Sequence, residues 1–159
     1  MKIKIRHCNN CDKAKEYNQS IYKYCPNVKY VTVFLNNDET FEELENIFTK
    51  CQYLKAIDIH KNVGIKYRVN FLNLLIKSAP PSLYKIHFNN QIEDFSEETL
   101  KFFFTSWSCK GKKTLHIYML SNSWNDFIEK YKLKGVIVLC YLDDDFWNHE
   151  ITWDEDNYC

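Results

Sequence analysis

Glycine and proline are scarce in this chain of 159 residues, with three of each. Flexible linkers and low-complexity segments are built largely from such residues, so their scarcity reads as one continuous folded unit. The length suits a single domain with a core of its own. Few glycines also leave few places where bare backbone could cradle a phosphate, and neither G-x-G-x-x-G nor a P-loop occurs. The hydrolase and zinc-protease signatures G-x-S-x-G and H-E-x-x-H are missing too. Net charge is absent, because 21 Lys and Arg balance 21 Asp and Glu. A dedicated nucleic-acid binder would usually be basic. No apolar run approaches the ~18–20 residues needed to span a bilayer, and the start MKIKIRHCNN lacks the apolar core of a signal peptide. These absences point to a cytoplasmic or nuclear chain that is not an enzyme, with no cofactor, no membrane and no nucleic acid among its partners.

Cysteine is the exception: seven are present, an odd number in a chain without an export signal, which fits reduced thiols. Two of them stand in step with hydrophobic residues, in CPNVKYVTVFLNN from Cys25 and CQYLKAIDIHKN from Cys51. Taking an apolar-x-apolar pair as the anchor, a repeat runs through Ile3/Ile5, Val31/Val33, Ile57/Ile59, Ile86/Phe88 and Leu115/Ile117, with Leu139/Tyr141 as a possible sixth copy. Three residues before the pair stand Val28, Leu54 and Leu83, with Lys112 departing. Three after it stand Cys8, Asn36, Asn62 and Gln91, with Leu120 departing. Upstream, Cys25, Cys51 and Cys109 share one phase, which Pro80 takes in the fourth copy. Cysteines locked to a repeat behave as small buried hydrophobes. Cys8-x-x-Cys11 has no second such pair to complete a zinc site.

Helical stretches separate the anchors. FEELENIFTKC places Phe41, Leu44, Ile47 and Phe48 on one face, and VNFLNLLIKSAPP stops at a proline pair. FSEETLKFFFTSWSCKG opens on Ser96 as N-cap and closes on Gly111, and WNDFIEKYKLKG closes on Gly135. The unit is strand, turn, helix, return. It fits the leucine-rich repeat L-x-x-L-x-L-x-x-N/C, in which each copy needs its neighbours to bury its apolar face. The expected fold is an α/β leucine-rich-repeat solenoid of about five strand–helix repeats over residues 1–142, a short curved arc with helices on the convex face. Residues 143–159 form an acidic, aromatic cap or tail with seven carboxylates and no Lys or Arg.

The motif C-x-x-L-x-x-L-x-L-x-x-N/C resembles the cysteine-containing repeats of F-box/leucine-rich-repeat proteins. SAPPSLYKIHFNNQIEDFSEETLKFFFTSW and WNDFIEKYKLKGVI resemble the C-terminal half of such proteins in mycorrhizal fungi. The resemblance covers residues 1 to about 142 and implies the substrate-recognition half of a ubiquitin-ligase receptor. In that family an F-box docks a Skp-type adaptor, but this chain starts directly on a repeat strand. An adaptor is therefore a partner only if an F-box lies upstream.

Residues between and beside the anchors should point out from the sheet, away from the helices. Exposed aromatics there fit a protein-binding surface better than a folding need. The candidate protein-binding residues are Lys4, Arg6, Tyr30, Phe34, Asp58, His60, Lys85, His87, His116 and Tyr118, against the alternative of an idle solvated sheet. The central column reads Lys4, Thr32, Asp58, His87, His116. With strands ~4.8 Å apart, Asp58, His87 and His116 should line up. That set is metal-capable, with His60 close by, so a metal-dependent site on this face is a second reading. A free-standing scaffold or decoy, with no ligase link, is a third. The N-terminal strand shows no cap, unless the segment from Lys13 to Tyr24 supplies one. Its edge could thus receive a partner or another copy, head to tail.

Overall fold

The computed structural model describes residues 2–3, 13–60, 65–88, 95–119 and 126–141. Strand and helix alternate: β1 (Lys2–Ile3), α1 (Ala14–Tyr24), β2 (Tyr30–Phe34), α2 (Asp38–Lys50), β3 (Ala56–His60), α3 (Ile65–Ser78), β4 (Lys85–Phe88), α4 (Glu97–Cys109), β5 (Leu115–Met119), α5 (Asp126–Leu133) and β6 (Ile137–Tyr141). The class is α/β. The six strands form one sheet in strict chain order, and every neighbouring pair is parallel. Among the described residues no helix is long and apolar enough to cross a membrane.

Local sequence sets the helix ends. Asn37 accepts from the Thr40 amide at 2.9 Å while the Thr40 hydroxyl takes the Asn37 amide at 3.1 Å, a reciprocal cap that starts α2. Ser96 caps α4 by accepting from the Thr99 amide. α3 stops just before Ala79 and the proline pair. After α5, Gly135 at φ 67° bonds to the Lys132 carbonyl, and Val136 to that of Tyr131, a Schellman closure.

Val31, Ile57, Ile86 and Ile117 are paired across successive strands, so they share one face of the sheet. All four are buried, in one cluster with helix residues that include Leu44, Phe48, Leu75, Phe104 and Ile128. Consecutive helices from α1 to α4 touch one another. A monotonic strand order with crossovers of one hand puts the helices on a single face. Val28, Leu54 and Leu83 are fully buried, as their repeat phase requires.

The fifth copy differs from the sequence reading. Ile86 pairs with Ile117, not with Leu115, and Ile117 and Met119 pair with Leu139 and Tyr141. The anchor is Ile117/Met119, two residues later than expected. Counting from it removes Leu120 as a departure, because Asn122 then stands three residues on. It also takes Cys109 out of phase. Cys25 and Cys51 are helix C-caps whose amides bond to the Ile21 and Ile47 carbonyls. Cys51 is buried and Cys25 partly so, whereas Cys109 is exposed. Leu100, Phe103, Phe104 and Trp107 form the buried stripe of α4, and two residues past Trp107 the helix faces away.

Candidate functional site

The sheet face turned away from the helices carries the polar residues of alternate strand positions. One row runs Tyr30, Ala56, Lys85, His116 and Val138, and the next runs Thr32, Asp58, His87 and Tyr118. In the second row the Thr32 hydroxyl donates to Asp58 Oδ2 at 3.0 Å, and Asp58 Oδ1 lies 2.7 Å from His87 Nδ1. An ionised carboxylate can only accept, so His87 donates from Nδ1. A carboxylate that fixes an imidazole tautomer is the orienting half of a general-base pair. Here the His87 side chain is only 1% exposed and that of Asp58 16%. A substrate has no surface of the imidazole to approach, so the row binds three strands together.

His116 does not join this row. The shifted register sets it beside Lys85, with its ring edge-on to Tyr84 at 5.9 Å. The expected line of Asp58, His87 and His116 is thus broken by the two-residue offset between β4 and β5. Among the described residues no group of three or more His, Cys, Asp or Glu could hold a metal ion.

The face also differs from the expected solvated surface. Thr32, Phe34, Ala56, Lys85 and His87 are all buried, while Tyr30, Asp58 and His116 are partly open. Phe34 needs no interface to explain it, because it packs edge-on against Tyr17 of α1 at 5.3 Å. The Lys85 ammonium lies 5.5 Å from the Tyr84 ring. His60 and Tyr118 hold register positions opposite Phe34 and His87, but their side chains lie outside the described residues, as do Lys4 and Arg6.

Sequence reasoning missed the role of α1. Its Ala14, Asn18 and Ile21 form the buried stripe. Lys29 offers its carbonyl to β3, and carbonyls alternate along a strand, so those of Thr32 and Phe34 point to the other side of β2. Tyr17 donates its hydroxyl to the Thr32 carbonyl at 3.0 Å. Asn18, fully buried, donates to the Phe34 carbonyl at 2.8 Å and accepts from the Phe34 amide at 3.3 Å. Past Tyr30 and Val31, which pair with β1, this side-chain amide takes up the Phe34 backbone groups on the β1 side of β2. The edge expected to be open is that of the first strand itself, of which Lys2–Ile3 is described. Glu43 of α2 fastens α1 in place by accepting from Gln19 at 2.7 Å and from the Tyr22 hydroxyl at 2.8 Å. Burial raises the Glu43 carboxyl, but these bonds, Asn46 and Lys15 outweigh it and hold its pKa below the usual value. Burial, then Glu43, pushes Tyr22 up to about 12.

The repeat-locked thiol is chemically quiet. Burial pushes Cys51 up to about 11, with Cys25 adding to the rise, so little thiolate forms near neutral pH. No protein-family model, no curated protein and no solved structure matches the chain.

Proposed function

We propose that the chain is a leucine-rich-repeat solenoid that works as a non-enzymatic protein-interaction module. The observation that carries this reading is the sheet itself: six parallel strands in chain order, a helix in every described crossover, and equivalent apolar residues stacked in register. Such arrays present a long surface of adjacent strands to a partner. The contact residues proposed are the partly open members of the face, Tyr30, Asp58 and His116, set on the firm base of the Thr32–Asp58–His87 bonds. In the ligase version these repeats choose a substrate, and a Skp-type adaptor is engaged only through an F-box upstream. The unlinked scaffold or decoy is served by the same face.

Affinity capture from cells that express the chain, read by quantitative mass spectrometry, tests this. The Tyr30→Ala/His116→Ala pair should lose a defined set of bound proteins that Phe102→Ala, on the exposed side of α4, retains. If both variants hold the same proteins as the wild type, with unchanged circular dichroism, the face is not the contact. A Skp-type adaptor and cullin subunits that the wild type and both variants retain select the ligase version, and their absence from every capture selects the scaffold.

A further inference from the structure

Five turns carry the chain from a helix into the next strand: residues 23–29, 50–55, 77–84, 110–114 and 130–136. Because every strand is parallel, all five lie at one rim of the sheet. Backbone bonds lace them together: Lys55 to Lys29 at 2.8 Å, Tyr84 to Lys55 at 3.0 Å, His116 to Tyr84 at 2.7 Å and Leu115 to Val136 at 3.0 Å. At ~4.8 Å per strand the row is about 19 Å long.

This rim holds eleven of the chain's 21 basic residues, and none of the five turns contains Asp or Glu. Lysines in a last helical turn, such as Lys23, Lys50 and Lys77, complement the helix dipole. That effect ends within the turn, so it does not account for Lys29, Lys55 and Lys113 further along the chain. Among the described residues, Lys77 and Lys132 of this set meet carboxylates on the helices, Glu45 and Glu129. Lys110 donates to the Ile76 carbonyl and Lys112 to those of Leu75 and Ala79 at the end of α3, and burial, then the charge of Lys110, brings Lys112 down to about 8.

Aromatic rings interleave with the lysines. Tyr24 is 80% exposed and Tyr53 63% exposed, one on each of the first two turns. On the third, Tyr84 is partly open, with the Lys113 ammonium 5.4 Å from its ring centre. Neither Tyr24 nor Tyr53 belongs to the hydrophobic core cluster. A linear row of ammonium groups matches a linear row of phosphates, and flat exposed rings match unpaired bases. A membrane surface would be better served by several apolar anchors, whereas Leu133 is the one exposed aliphatic residue in the described row. Lysine acts as a point charge with no fork to read a base edge, so recognition would be indifferent to sequence.

We propose that this lysine–tyrosine rim binds single-stranded nucleic acid, with phosphates on the lysines and bases stacked on Tyr24 and Tyr53. The neutrality of the whole chain conceals this, because the balancing carboxylates lie outside these turns. The surface is distinct from the sheet face proposed above, and either can fail without the other.

Fluorescence anisotropy with a labelled short oligouridylate tests the proposal on the full chain. Affinity should fall with salt at a log–log slope near −0.7 for each phosphate engaged. Lys29→Gln/Lys55→Gln should flatten that slope by about 1.4. Tyr24→Ala/Tyr53→Ala should weaken binding about tenfold or more and leave the slope unchanged. All four positions lie outside the core cluster, and circular dichroism checks that the variants remain folded. No binding at low salt overturns the proposal, as does a tyrosine pair whose loss changes nothing. Tighter binding to phosphatidylserine vesicles than to the oligonucleotide also overturns it and assigns the rim to lipid.

Discussion

Asn18 carries more structure than its residue type announces. It sits on the buried stripe of a helix whose other members are Ala14 and Ile21, and it meets the backbone of Phe34 sixteen positions away with both halves of its amide. Removing it leaves a buried N–H and a buried C=O without these bonds, each worth about 1–3 kcal/mol when unsatisfied. Asn18→Ala should therefore cost about 2–4 kcal/mol in urea unfolding. It should also expose part of the β2 edge, and bare edges pair with other chains. Concentration-dependent association of this variant, seen by sedimentation, is expected where the wild type shows none. A stable, equally monomeric variant would show that the edge is closed by something else. The Thr32–Asp58–His87 row holds the same lesson. Its members could be named from the repeat column, but their burial could not, because solvent access depends on everything packed around them.

At the scale of the element, turns decide register. β5 reads L-H-I-Y-M, which contains two equally good apolar-x-apolar pairs, Leu115/Ile117 and Ile117/Met119. Periodicity alone cannot choose between them, since both keep the same face buried. The backbone bonds choose the second, and that choice moves His116 out of the Asp58 row and Cys109 off the buried phase. The helix ends were legible, because capping is local: Ser96, Gly111 and Gly135 sit where residue type dictates. A β-carbon on Gly135 would meet nothing within 4 Å, so its replacement tests the backbone alone. Gly135→Ala should cost about 1 kcal/mol from the left-handed conformation, and Gly135→Asn less. Equal midpoints for glycine and alanine in urea would mean that the Schellman closure is not what ends α5.

For the whole molecule, one cluster of buried residues runs from Ile21 in α1 to Ile137 in β6. Repeat arrays stay cooperative when neighbouring units share much of their core. Phe48→Ala, at a fully buried site in α2, should cost about 3–5 kcal/mol. Native-state hydrogen exchange should register that loss equally at Val33 of β2 and at Ile117 of β5. A loss confined to β2 would show that the two ends open separately.

The sequence by itself determined the alternation of strand and helix, the apolar columns and the helix boundaries. Each rests on contacts within one turn or on a period of two or 3.6 residues, which a linear reading can count. The tertiary structure alone decided the register of the fifth strand, the burial of the polar row and the closure of the first full strand by a helix side chain. It also brought lysines from five separate turns to one rim. These depend on which backbone groups are left over after local bonds form, and on which distant side chain reaches them first. No count along the chain contains that information.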